Sequence, residues 1–187
     1  MSILAVNSER SRNLVDALSR IIDFKKDLPE NVFIGDKFRF WLFERPLFDF
    51  LELFSTLIEN NFSNFNSNVA IKCSGSNLTE STFISLDNEN VETDVLTIHK
   101  DFQDFFGGRL GYPIVIFNEK FDWIAFESAY EEFGVLSVRE DACKNGFLNF
   151  LDENLIPVKN TTDTTDLQGS ELMTVEALRK AYMKVSL

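Results

Sequence analysis

Ile114-Val-Ile-Phe117, Asn118-Glu-Lys120, Phe121-Asp-Trp-Ile-Ala-Phe126 and, after a short gap, Val135-Leu-Ser-Val138 form the stretch on which the fold turns. The first run is short, continuously apolar and bounded by turn residues, which predicts a central strand covered on both faces. Asn118–Lys120 turns the chain into a second strand over 121–126. A helical turn at Ser128–Phe133 then leads into a third strand at 135–138. Connections this short join antiparallel neighbours, because a parallel crossover needs a dozen residues or more.

Working outward, Phe38, Phe40 and Leu42 alternate with Arg39, Trp41 and Phe43, which predicts another strand apolar on much of both faces. Further strands are expected at 69–73, 82–87 and 91–98, the last two forming a hairpin across an Asp87-Asn-Glu-Asn90 turn. Helices are expected over about 8–26, 46–59 and 139–152, with a short one near 100–106 closed by Gly107-Gly108. The second helix carries Asp49, Glu52, Thr56 and Glu59 as one narrow polar stripe on an otherwise apolar surface, the pattern of a buried helix. Asn60 to Asn68 reads as a polar loop. The fold class expected is therefore α+β: a mostly antiparallel sheet of five to six strands, N-terminal helices on one face and a C-terminal helix. Residues 1–153 form one domain in this reading. Residues 154–170, with Asn160-Thr-Thr-Asp-Thr-Thr-Asp166, read as a mobile linker, and 171–187 as a helix docked on the same domain.

Composition narrows the function classes. The chain has 187 residues, 18 basic against 30 acidic, a net charge of −12 and 44% hydrophobic residues. That is enough apolar material for a packed core and one domain. The acidic field opposes general nucleic-acid binding, since phosphates are repelled. Phe occurs 20 times against 3 Tyr and 2 Trp, which fits core filling better than a stacking platform, because Phe has no polar tip. The two cysteines, Cys73 and Cys143, make no disulfide framework and suit a reducing compartment. No basic-then-apolar leader opens the chain, and no apolar run approaches the ~18–20 residues of a membrane span. A cytoplasmic protein is the expectation.

Motifs for chemistry are sparse. The single histidine, His99, excludes paired-histidine metal sites and leaves one candidate base. Neither cysteine has a Cys-x-x-Cys partner, and Gly107-Gly-Arg-Leu-Gly111 lacks the following helix of a phosphate loop. Asp87-Asn-Glu-Asn-Val-Glu92 alternates oxygen ligands but lacks the glycine and terminal glutamate spacing of a calcium loop. The expectation is no catalytic residue, no cofactor and no metal.

Charge placement is more informative. Residues 1–72 carry a net −1 and residues 73–187 a net −11, with −6 falling within 73–108 alone. On the expected hairpin, Glu92 and Asp94 share a sheet face, with Asp87 and Glu89 at the turn and Asp101 and Asp104 extending the patch. Such a surface either keeps an edge strand soluble or meets a basic partner, speeding association at low salt.

The segment Gly111-Tyr-Pro-Ile-Val-Ile-Phe-Asn-Glu-Lys-Phe-Asp-Trp-Ile-Ala-Phe-Glu-Ser-Ala-Tyr-Glu-Glu-Phe-Gly-Val-Leu-Ser-Val138 resembles the strand–turn–Trp-bearing strand–acidic turn–strand core of small bacterial immunity proteins. These are encoded beside polymorphic or contact-dependent growth-inhibition toxins. The resemblance covers about 30 residues of the chain. It implies a cytoplasmic inhibitor that binds the cognate toxin's C-terminal domain, often a basic nuclease, and needs no chemistry of its own. Asp87, Glu89, Glu92, Asp94, Asp101 and Asp104 would then oppose toxin lysines and arginines. Other classes stay open: a regulatory or adaptor module acting through 154–170 and the last helix, an enzyme whose site forms only in three dimensions, and a homodimer built on the apolar strands.

Overall fold

The computed structural model describes residues 4–5, 8–74, 83–105, 111–159 and 169–183. In chain order these form β1 (Leu4–Ala5), α1 (Ser8–Leu18), β2 (Phe38–Glu44), α2 (Leu51–Phe65), β3 (Val69–Lys72), β4 (Phe83–Leu86), α3 (Val91–Phe105), β5 (Ile114–Asn118), β6 (Trp123–Glu127), β7 (Phe133–Arg139), α4 (Asn145–Asn154), β8 (Ile156–Pro157) and α5 (Ser170–Met183). Single 3-10 turns at Leu47–Asp49 and Glu140–Ala142 precede α2 and α4. The fold is α+β, as the sequence predicts.

All eight strands lie in one antiparallel sheet of order β1-β4-β3-β5-β6-β7-β2-β8. Six of them have four residues or more, and the two edge strands have two each, a length that limits edge-to-edge pairing with other chains. The meander read from Ile114 to Val138 is the centre: β5 and β6 are buried along their whole length, and β7 along all but Arg139. The segment between β6 and β7 is a bend, not the helical turn expected at Ser128–Phe133.

Helices cover both faces. On one, α2, α3 and α4 pack Phe54, Val95 and Phe147 against Val69, Ile116, Trp123 and Leu136. On the other, α1 and α5 pack Leu14, Leu18, Leu178 and Tyr182 against Phe40, Phe117, Ile124 and Val135. The first two long helices are thus divided between the faces instead of sharing one. The alternation of β2 explains it: Trp41 and Phe43 serve the first core while Phe38, Phe40 and Leu42 serve the second, so both faces need a helix.

Several elements differ from the sequence expectation. The first helix, expected to about residue 26, ends at Leu18, because Ile21 and Asp23 instead pair through their backbone with Ile34 and Val32 around an Ile22–Phe33 bridge. Residues 91–98 are helical and run on into the expected 100–106 helix, so the 82–87/91–98 hairpin does not form. Val91, Val95 and Ile98 recur at helical spacing and are buried, a period that overrides the β-branched composition of the segment. The Asp87–Asn90 turn opens α3: the Asp87 carboxylate accepts the Glu89 N–H at 2.9 Å, and the Asn90 carbonyl accepts the Asp94 N–H. Likewise α2 continues through the expected Asn60–Asn68 loop to Phe65. Asn60 and Asn64 donate back to the carbonyls of Thr56 and Asn60, and Asn66 closes the helix with a positive φ of 47°.

Beyond α4, the segment read as a linker from Asn154 first forms β8 against Trp41 and Leu42 and buries Val158. Residues 160–168 and the expected Gly107-Gly108 turn lie outside the described residues. In α5, Val175, Leu178 and Tyr182 are fully buried on the second face.

Candidate functional site

The acidic residues read from the sequence are dispersed by the change from hairpin to helix. Glu89 and Glu92 are exposed at the start of α3, and Asp87 is half-buried beside them. Asp94 is fully buried, because helical spacing turns it inward between Val91 and Val95, so it leaves the surface patch. Asp101 and Asp104 belong to α3, but their side chains lie outside the described residues.

Two glutamates outside the expected patch join Glu89 and Glu92. The α2 and α3 helices run antiparallel, and two adjoining surface grooves lie between them. One, of about 500 Å³, is lined by Glu59, Phe62, Glu89 and Glu92 among others. The next, of about 380 Å³, is lined by Glu52, Glu59, Glu92, Val95 and Leu96. Glu59 and Glu92 belong to both, no Lys or Arg among the described residues lines either, and Leu96 is 41% exposed on the rim. The result is an acidic channel with apolar ground. Its α2 half is visible in the sequence as the Glu52–Thr56–Glu59 stripe, but nothing along the chain places that stripe beside α3.

A second constellation sits inside the fold at the end of β6. Glu127 is completely buried, with Oε1 accepting the Leu47 N–H at 3.0 Å and Oε2 without a hydrogen-bond partner among the described residues. Burial pushes its carboxyl up from 4.5 to about 7, against the opposing pull of the Leu47 hydrogen bond and the Arg45 charge. Arg45 donates to the carbonyls of Glu131 and Ala129 and, at 3.2 Å, to the Tyr112 hydroxyl. Burial also raises Tyr112, helped by the Glu127 charge. Nearby, His99 Nδ1 lies 3.2 Å from Asp49 Oδ1, so the lone histidine faces a carboxylate across the α2–α3 junction.

A carboxyl near 7 can give or take a proton at neutrality. Here one oxygen is committed to backbone, and none of the described grooves is lined by Glu127. Its titration bears on the buried bond to Leu47 and so on the fold. The thiols are poor nucleophiles: burial pushes Cys73 up to about 12 and raises Cys143, and both are unbridged. Among the described residues, no three His, Cys, Asp or Glu side chains group closely enough to hold a metal ion, and no helix is long and apolar enough to cross a membrane.

No family model, curated protein or solved structure matches the chain. The functional reading rests on the chain's own residues.

Proposed function

We propose that this protein is an immunity-type inhibitor that neutralises a basic toxin domain by covering it with the α2–α3 face. The observation that carries the reading is the channel shared by Glu52, Glu59, Glu89 and Glu92, which no Lys or Arg among the described residues lines. A toxic nuclease holds phosphate on a cationic surface, and a line of carboxylates at similar spacing competes for that surface. The apolar ground beside them, the half-buried Phe62 and the exposed Leu96, supplies the desolvated contact that charge alone does not. Inhibition of this kind is steric and electrostatic, so the inhibitor needs no catalytic group.

The test is protection. The tagged chain is purified at low salt from its native host, and any basic protein bound stoichiometrically is expressed alone and together with the chain. The expected result is a partner toxic by itself and harmless when co-expressed, with protection lost in the Glu52→Lys/Glu59→Lys/Glu92→Lys variant. A bound partner that is not toxic, or protection unchanged by the triple reversal, overturns the reading.

A further inference from the structure

Arg179 is the one described arginine whose burial the fold leaves uncompensated on two nitrogens. It sits on α5 between Val175 and Tyr182, on the sheet face opposite the acidic channel, and is 8% exposed. Its Nε and Nη2 are buried, and neither has a hydrogen-bond partner among the described residues. Other buried polar groups around it are satisfied: the Tyr182 hydroxyl accepts the Val32 N–H at 3.2 Å and donates to the Glu30 carbonyl at 3.0 Å. Those bonds also fix α5 against the 30–33 segment, so the guanidinium one turn away is held in place.

A guanidinium cannot escape burial by losing its proton, unlike a lysine or a carboxyl. An unpaired buried charge is strongly unfavourable until an opposite charge or a full set of acceptors meets it. The two open nitrogens are not scattered. Nε and Nη2 form one edge of the guanidinium, with parallel N–H bonds at the separation of two oxygens of a carboxylate or phosphate.

We propose that the Nε–Nη2 edge of Arg179 is an oxyanion-binding site on the α5 face, taking one carboxylate or phosphate group of a small molecule in a bidentate pair. The site is independent of the toxin-binding reading, because the sheet separates it from α2 and α3. Its affinity rests on the fork and not on positive charge alone, so lysine at this position does not replace it.

The experiment titrates the whole chain with inorganic phosphate, and separately with acetate, replacing chloride at constant ionic strength. Thermal unfolding and the Arg179 Nε–H resonance are both followed. The expected result is a saturable rise in Tm with a saturable downfield shift of that resonance, and binding at least tenfold weaker in Arg179→Lys. A response to phosphate alone assigns a phosphate ligand, and a response to both assigns oxyanions generally. A Tm rise of equal size in Arg179→Lys is a bulk salt effect and overturns the site. An Nε–H resonance unmoved by either anion overturns it too, and that reading holds even if the lysine variant does not fold.

Discussion

At the scale of single residues, Glu127 makes stability depend on pH in a direction opposite to a paired surface carboxylate. Its folded value of about 7 lies above the ordinary 4.5, so the folded state holds the proton more tightly than the unfolded chain. The stabilisation is complete below the ordinary value, falls as pH rises through the interval, and is gone above the folded value. The difference across that interval is about 3 kcal/mol. Glu127→Gln keeps an oxygen for the Leu47 N–H and removes the titration. Denaturant melts at about pH 5 and about pH 8 are expected to show the wild type losing stability relative to the variant, by up to about 3 kcal/mol. Parallel curves would sink the assignment. Nothing in the sequence singles out Glu127, since the Leu47 amide and Arg45 stand some eighty positions away. Gly134 is another such residue. A Cβ there would lie 2.3 Å from Phe43 Cζ and 2.9 Å from the Phe126 carbonyl, because the Phe43 ring packs across the strand directly onto the glycine. Gly134→Ala is expected to cost about 1–3 kcal/mol in a thermal or denaturant melt, and an unchanged midpoint would show that the ring moves aside freely.

Among the elements, those legible in the sequence are the ones whose period and residue type agree. The strands from Ile114 to Val138 and the strand at Phe38 are both apolar and rich in β-formers, and they appear where expected. The α3 helix departs from the expected strand because the two signals conflict: Val91, Thr93, Val95 and Thr97 favour a strand, while the buried set Val91, Val95, Ile98 follows a helix. The end of α2 departs from the expected loop, whose sequence signal is the cluster Asn60, Asn61 and Asn64. Their amides are instead used by the fold, and Asn61 is fully buried, accepting the Trp123 indole N–H at 2.9 Å and donating to the Ser67 carbonyl at 2.5 Å. The hold of α5 on the second face is testable through one atom. Tyr182→Phe keeps the ring against Phe33 and Phe40 but strips the buried Val32 N–H of its acceptor. The expected loss is about 1–2 kcal/mol, with faster amide exchange confined to α5 and the 30–33 segment. Loss spread evenly over the sheet would mean that α5 is not a separable unit.

At the scale of the whole molecule, charge is sorted by the fold more finely than by the sequence. The count along the chain placed the acidic excess after residue 72, yet two of the four channel glutamates, Glu52 and Glu59, come from before it. A one-dimensional tally cannot find such a surface, because α2 and α3 meet only through packing on a common sheet face. Steering depends on that summed field, so its removal should appear in the association rate before it appears in stability. With the partner identified by co-purification, Glu52→Lys/Glu59→Lys/Glu92→Lys is expected to slow association by about tenfold or more at low salt and to flatten its salt dependence. Each site is exposed, but Glu52 and Glu92 sit in the first turns of α2 and α3, so folding stability should fall by about 0.5–1 kcal/mol at each of these two and by less at Glu59. Asp16→Lys/Glu171→Lys/Glu176→Lys on α1 and α5 is the matched control: three reversals like the channel variant, also exposed, also acidic, and on the opposite face of the sheet. Stopped-flow binding at low and high salt separates the cases. Slowing by the channel variant alone places the partner on α2 and α3. Equal slowing by both variants would mean that net charge, and not the channel, does the steering, and the interface would have to be sought elsewhere on the surface.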